Sequence, residues 1–399
     1  LEIAEPLAHE ALVLARELDA DGPLFEALLQ RYDIAQQKDR HEAALEILDI
    51  VRADARRAGR TDLEPGLDAR EGLARHGLGQ YAKAAAAYER ALEGFRQRGR
   101  EHSVAAINTQ GNLATSLTAL GERDRGIAIQ EEIVAAYTER FGAEHPLVAS
   151  SSLNLGSFIN VKQPDRALEL TRKAVAIREN AYGFDHPLTV EARERLASVL
   201  LRLGQAKEAE VLYQDAVKQM IEAYGEKSQR VSLALNNLAG ALWFQSKVDE
   251  AIVALERSLA IKLDGLPADH PDLRLTRGNL GLMHTAAGNA EQALSHWEVV
   301  LAGALAGNDA EEAARARAFI AYNLAYEGDR ARARQVLDES GGPDGVPKRA
   351  QSVSYAALAV LEEDPQRAAA LAGKAVERSA QREPWLVAQL EAKGIAVPQ

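Results

Sequence analysis

Phe141-Gly-Ala-Glu-His-Pro146 returns 41 residues later as Tyr182-Gly-Phe-Asp-His-Pro187, and that return decides the fold. An altered copy is Tyr224-Gly-Glu-Lys-Ser-Gln229. Another lies within Gly265-Leu-Pro-Ala-Asp-His-Pro271, and Gly99-Arg-Glu-His102 is a weaker relative. Nine or ten residues beyond each copy stands a second element: Asn112-Leu-Ala, Asn154-Leu-Gly, Arg195-Leu-Ala, Asn237-Leu-Ala and Asn279-Leu-Gly, in steps of 42, 41, 42 and 42 residues. A third element is one small residue: Ala43, Ala84, Gly126, Ala167, Ala209, Ala251, Ala293, Ala333 and Ala368, with Ala44 fitting almost as well as Ala43. Nine units therefore cover nearly the whole chain, and a period of this length marks a stacked array.

Within a unit the apolar spacing is helical. Leu233, Leu235, Leu238, Ala239 and Leu242 form a stripe at three- and four-residue intervals. Gln245-Ser-Lys-Val-Asp249 interrupts it, and Ala251, Ile252, Leu255 and Leu259 begin a second stripe. Each unit is thus two antiparallel helices joined by a tight turn, often at a glycine such as Gly121, Gly204 or Gly288. Ala239 and Ala251 fall where the paired helices cross, and a larger side chain there would push the axes beyond the usual 8–10 Å. In the connector, Gly183 suits the left-handed conformation that ends a helix, and Pro187 suits the first turn of the next.

Composition agrees. Of 399 residues 75 are alanine and only 5% aromatic, which suits helices packed closely on helices and not sandwich or barrel cores. With 47% hydrophobic and 27% charged residues the chain is not disordered. It has no cysteine, so disulfides, thiolate metal sites and cysteine nucleophiles are excluded. A net charge of -12 argues against a nucleic-acid backbone as partner. No apolar run approaches the roughly 20 residues that span a bilayer, so direct membrane insertion is not expected. No signal-peptide pattern opens the chain, and a cytoplasmic location is expected.

The repeated positions resemble the tetratricopeptide repeat, a helix-turn-helix unit that stacks into a right-handed superhelix. The Asn-Leu-Ala/Gly, turn-glycine and alanine positions carry the resemblance across nine units. The 42-residue period and the Gly-x-x-His-Pro connector are similar to the long variety in kinesin light chains. The sequence departs from the pattern at Glu71, where leucine is expected, in the short turn after Asn154, and in the shorter period of the last two units. The resemblance implies an all-α fold: an α-α superhelix, or solenoid, of about nine helix pairs with a C-terminal capping helix. Its expected divisions are a partial repeat over 1–22, two divergent repeats over 23–101, five 42-residue repeats over 102–306, two shorter repeats over 307–383 and the cap over 384–399.

Catalytic readings fail on motif and geometry. Gly72-Leu-Ala-Arg-His-Gly77 falls in a repeat hairpin with no preceding strand and no Lys-Ser/Thr, so it is not a phosphate loop. His102, His145, His186 and His270 recur at one unit spacing, which puts each on a different layer, whereas ligands to one zinc ion all lie roughly 2 Å from it. They are expected to cap helices and pack connectors. His284 replaces the apolar residue found at Leu242 and Leu200, and is expected to be a hydrogen-bonded core histidine able to make one junction pH-sensitive. Glu131-Glu132, Glu311-Glu312 and Glu362-Glu363 are adjacent in sequence and diverge on a helix, so they form no acid/base pair. Trp297 shares its register with Tyr88 and Tyr213 as a hairpin plug, and Trp385 belongs to the cap. No catalytic residue, metal or cofactor is expected.

The first helix of every unit lines the concave surface of such a solenoid. The resemblance places the asparagine before each Leu-Ala/Gly pair on that inner row: Asn112, Asn154, Asn237 and Asn279, with Arg195 the exception. An amide both donates and accepts, so it can pair with the backbone of an extended peptide whatever its sequence. Around this row Asn108, Thr115 and Asn160 are polar, Glu191, Glu194, Arg195 and Arg202 are charged, and Asn236, Trp243 and Phe244 add an amide and two apolar anchors. Glu191 and Arg195 also stand at i,i+4, where they neutralise one another. The expected partner is a peptide or protein bound in the groove, with self-association left open. In style and order the repeats resemble the tails of large bacterial serine/threonine kinases, with the catalytic domain upstream of Leu1, and also the sensor arrays of bacterial signalling ATPases. A regulator that senses a small molecule or short signalling peptide is the competing expectation.

Overall fold

The computed structural model of the chain describes residues 21–38, 40–379 and 384–398, together with residues 10, 11 and 13. The half-repeat expected over 1–22 therefore lies almost wholly outside the described residues. Those described form nine helix pairs and no strand. Repeats 1 and 2 are Asp21–Gln37 with His41–Arg57, and Glu64–Gly77 with Tyr81–Arg96. Repeats 3 to 5 are Val104–Ala119 with Arg123–Phe141, Pro146–Ile159 with Pro164–Tyr182, and Pro187–Arg202 with Ala206–Tyr224. Repeats 6 and 7 are Gln229–Trp243 with Val248–Gly265, and Pro271–Ala287 with Ala290–Ala306. Repeats 8 and 9 are Ala310–Glu327 with Arg330–Glu339, and Lys348–Leu361 with Pro365–Arg378, and a last helix covers Pro384–Ala392. The chain forms two compact bodies, residues 1–195 and 196–399.

Each pair closes on the small residue of its second helix. Ala84, Ala167, Ala209, Ala251, Ala293 and Ala333 are fully buried. In repeat 1 that residue is Ala44, fully buried, and not Ala43, which is half-buried. One turn later the second helix sends back a plug: Tyr88, Tyr213 and Trp297 are buried in this register. The last residue of each Asn-Leu-Ala/Gly element receives it. A Cβ built on Gly281 would lie 2.7 Å from the Trp297 indole, and one on Gly72 would lie 2.5 Å from the Tyr88 ring. Glycine thus faces these two aromatics because even a methyl group has no room.

The connectors end and restart helices by local chemistry. Gly142, Gly183 and Gly225 do have positive φ, at +86°, +89° and +81°. Their ψ values of 155°, 168° and 158° differ from the expected left-handed helical ones. They occupy instead an extended region open essentially to glycine alone, which sends the chain away from the helix instead of closing its last turn. Three residues after Gly142 and Gly183 a histidine caps the next helix, as His270 does in a later connector: the amides of Leu147, Leu188 and Asp272 donate to Nδ1 of His145, His186 and His270 at 3.2, 3.2 and 3.1 Å, while after Gly225 the cap is Ser228. The rings of His145 and His186 stack on Phe141 and Tyr182 at 4.7 Å, fixing the connector to the helix it leaves. His102 does not cap; Ser103 accepts the Ala106 amide in its place.

One register inside the second helices holds buried cations. Phe95, Tyr137 and Met220 are replaced there by Arg178 and Lys262, both almost fully buried. Arg178 donates to the Leu188 carbonyl, and Lys262 approaches the Asp272 carbonyl at 3.5 Å while donating to Thr276 Oγ1 at 2.9 Å. Leu188 and Asp272 are themselves equivalent positions, so two distant repeats solve one desolvation problem in one way.

The Gly281–Trp297 contact predicts a stability difference between two glycines. Gly281→Ala forces the indole to move and should destabilise the protein by about 1–3 kcal/mol. Gly240→Ala meets nothing within 4 Å and should be neutral, or stabilising by up to about 1 kcal/mol from helix propensity. Thermal unfolding of both variants checks this, and equal melting temperatures would contradict the packing described.

Candidate functional site

First helices of successive repeats do line the clefts, one in each body. In the N-terminal body a cleft of about 540 Å³ is walled by Asn108, Asn112 and Thr115 of repeat 3 and Asn154 and Ser157 of repeat 4, with Arg195 at its edge. Its floor comes from the second helix of repeat 3, through Gln130, Ile133 and Tyr137. In the C-terminal body a cleft of about 350 Å³ is walled by Asn236, Asn237, Gly240 and Trp243 of repeat 6 and Asn279 and Leu282 of repeat 7, over a floor that includes Tyr213 and Leu255.

Arg195 makes the N-terminal cleft less cationic than its presence suggests. Its guanidinium donates twice to Glu191 Oε1, at 2.9 and 3.1 Å, and reaches across to Asn154 Oδ1 at 3.3 Å. Glu191 also lies 3.6 Å from the buried Arg178, so one carboxylate is shared by two guanidinium groups. The pairing fixes the side chain against the asparagine row and leaves neutral amides as the dominant chemistry. Asn108 and Asn112 are exposed and find no hydrogen-bond partner among the described residues, so their amides are open to a ligand.

In the C-terminal cleft Asn279 donates to Asn236 at 3.3 Å, which orients both amides, while half-buried Asn237 has no such bond among the described residues. Trp243 is half-buried beside them and lines the cleft. The turn that follows is fixed from below. Gln245 and Lys247 both bond Glu210, at 2.7 and 2.8 Å, and hydrogen bonds from Lys247 hold that carboxyl below its ordinary pKa. Between them Ser246 takes φ +60°, where the equivalent turns use Gly204 and Gly288. The Glu210 clamp offsets that unfavourable backbone in the turn after Trp243.

Five of the sequence-derived candidates fall outside both linings. Phe244 is the C-cap of its helix and 48% exposed, turned off the cleft. Asn160 is likewise a C-cap, half-buried. Glu191 acts on the cleft only through Arg195, Glu194 is half-buried beside it, and Arg202 is exposed at its helix end. Conversely, Gln130 was not a candidate, yet it is buried in the N-terminal floor with no hydrogen-bond partner among the described residues. The signal for it was available: Gln130 occupies the register of Tyr88, Tyr213 and Trp297, where a plug should stand. Among the described residues no cluster of side chains could hold a metal ion, and no helix is long and apolar enough to cross a membrane.

Family models described as tetratricopeptide repeat match residues 107–147, 158–220 and 190–264, within the repeats that build both clefts. The chain contains tetratricopeptide repeats over these residues. No curated protein sequence matches it. Among solved structures, BtubC (BKLC) from P. vanneervenii is 22% identical over 57% of this chain and 92% of its own, with a TM-score of 0.50. The apo form of the quorum sensor NprR from B. thuringiensis is 18% identical over 74% of this chain and 81% of its own, with a TM-score of 0.59. A signal transduction ATPase with numerous domains and a tetratricopeptide repeat sensor, from Pyrococcus horikoshii, is 14% identical over 93% of this chain and 54% of its own, also at 0.59. At these identities the likeness is one of fold.

The array of helix pairs also contains a buried titratable pair. His284, buried as expected, stacks on His296 at 5.6 Å between ring centroids and 8° between planes, and its Nδ1 lies 3.5 Å from Asn289 Nδ2. His296 Nδ1 is buried with no hydrogen-bond partner among the described residues. Burial, then the neighbouring charges of His284 and Arg277, push the His296 pKa down to about 4. Between about pH 6.5 and 4 the unfolded chain binds a proton at His296 that the folded chain refuses. Stability from this group is therefore present above pH 6.5 and lost as pH falls toward 4. His296→Leu, which restores the residue type of Leu212 in repeat 5, should shrink the drop in melting temperature between pH 7 and pH 5, measured side by side with the wild type.

Proposed function

We propose that this tetratricopeptide repeat protein is a non-catalytic interaction module that binds an extended peptide, or an extended segment of a protein partner, along the first-helix faces of repeats 3–4 and 6–7. The observation that carries this reading is the set of cleft-lining amides without a hydrogen-bond partner among the described residues: Asn108, Asn112 and Gln130 in one, Asn237 in the other. Each amide supplies one acceptor and two donors, which match the alternating N–H and C=O groups of an extended backbone. The internal pairing of Arg195 with Glu191 weighs against recognition of a free anion, because the charge a carboxylate or phosphate would seek is already neutralised. Beside Asn237, half-buried Trp243 supplies an apolar anchor of the kind that dominates binding energies.

The module is read as the regulatory region of a larger cytoplasmic bacterial signalling protein, either a serine/threonine kinase or a signalling ATPase. The likeness to a quorum sensor and to the repeat sensor of a signal transduction ATPase favours a sensor role, in which the occupant is a short signalling peptide and not a segment of a partner. The same clefts serve either occupant.

Asn112→Ala and Asn237→Ala each remove a cleft-lining amide that has no hydrogen-bond partner among the described residues. With a partner recovered on immobilised protein, each should weaken binding about tenfold, near 1.4 kcal/mol, and leave the melting temperature unchanged. Isothermal titration and thermal unfolding measure the two quantities. Parallel loss of stability and affinity would assign these asparagines a structural task instead.

A further inference from the structure

The helix Pro384–Ala392 contacts the first helices of repeats 7 and 9. Long-range side-chain hydrogen bonds in the array mostly join neighbouring repeats, but Gln389 reaches more than a hundred residues back. Its Nε2 donates to the carbonyls of Thr285 and Ala286 at 2.7 and 3.0 Å, and its Oε1 accepts from the Tyr322 hydroxyl at 2.7 Å. Those partners stand on the cleft-lining register: Tyr322 is the repeat-8 counterpart of Gly240 and Leu282, and Thr285 is the repeat-7 counterpart of Trp243. The helix thus packs on the first helices of repeats 7 and 9 and covers the continuation of the face that is open at Asn237 and Asn279.

Its grip is that of a bound amphipathic helix. Leu386 and Leu390 are fully buried, Gln389 nearly so, and Trp385 meets the Tyr322 ring edge-on at 6.1 Å. Lys393, just past the helix end, donates to the Tyr326 carbonyl at 2.7 Å and lies over its ring at 4.2 Å. Nine residues are too few to hold a helix alone in water, so the face supports it. The acceptors it uses are carbonyls of the last turn of Pro271–Ala287, which lack the usual partner four residues ahead; that of Thr285 accepts the Gly288 amide at 3.1 Å and takes Gln389 as a second donor. The fit is also incomplete: the Trp385 indole Nε1 is buried without a hydrogen-bond partner among the described residues, a defect that an incoming helix need not reproduce.

We propose that the first-helix face of repeats 7–9 is a helix-docking site held in cis by Pro384–Ala392. The partner is a protein segment that folds as a short amphipathic helix, with two leucines four residues apart and an amide beside the second, as Leu386, Gln389 and Leu390 stand here. Such a partner displaces the C-terminal helix and extends the open face by about two repeats. This goes beyond the peptide-binding reading and does not depend on Asn112 or Asn237.

The test uses the full chain and a fluorescein-labelled synthetic peptide of residues 384–398, read by fluorescence anisotropy. The double variant Leu386→Asp, Leu390→Asp releases the cis helix and should bind the peptide at least tenfold more tightly than the wild type does. A peptide carrying Gln389→Ala should lose most of that gain. Equal binding by wild type and variant, or no binding by a variant that keeps its helical circular dichroism and cooperative melt, overturns the proposal. Should the double variant not fold, hydrogen exchange on the wild type decides. Amides of 386–392 should exchange by local opening, well before those of Lys348–Leu361, and exchange of both only by global unfolding overturns it. Asn237→Ala should leave every one of these readouts unchanged, which separates failure of this site from failure of the clefts.

Discussion

Close approach of two helices at a residue with almost no side chain is the constraint on which the rest of this protein depends. Fully buried alanines at one register of the second helices allow each pair to close, and the facing glycine or alanine of the first helix then receives the plug that follows. A stack of such pairs has no single core to fill. Its buried layer grows with each repeat, so 399 residues need no larger globule than a hairpin. The alanine content, the scarcity of aromatics and the positions of those few aromatics all follow from this one distance. Where the plug is largest, at Trp297 and Tyr88, the receiving residue is reduced to glycine.

That constraint is also why so much was legible in the sequence. A structure made by translating one unit writes its rules many times, and repetition separates a rule from an accident. The helix pairs, the crossing alanines and the capping histidines are local features, each settled within about ten residues. The inner row was legible to the same extent, since Asn112, Asn154, Asn237 and Asn279 share one register and reach the clefts together. Phe244 and Asn160 lie off the cleft linings because each is a C-cap, one residue past the end of its helix, where the side chain leaves the face. Gly183 was given the right sign of φ and the wrong ψ, because glycine at a helix end signals only that an ordinary side chain would not be tolerated.

What stayed hidden is aperiodic. Arg178 and Lys262 look like surface cations until the burial of their register is known, and then their carbonyl partners in the next helix become a requirement. Gln130 reads as an ordinary polar residue unless it is compared with Trp297, 167 positions away in sequence but identical in register. Gln389 has no counterpart in any repeat, so no period announces that its amide serves the helix ends and hydroxyls of repeats 7 and 8. Contacts of this kind are tertiary facts about one chain, not consequences of its unit.

Function in an array of this kind resides in such departures. A face made of identical units would be uniform, and a uniform face has no beginning, end or preferred occupant. One register shows how the uniformity is broken. Thr115 and Ser157 line the N-terminal cleft, and within the C-terminal body the same position reads Ser198, Gly240, Leu282 and Tyr322. The side chain is small where the face is hollow and amide-lined, larger at Leu282 where the cleft ends, and largest at Tyr322, where the face is covered and the hydroxyl holds Gln389. Repeat architecture fixes the path along which a ligand can lie. The size of one side chain per repeat then decides how much of that path is open.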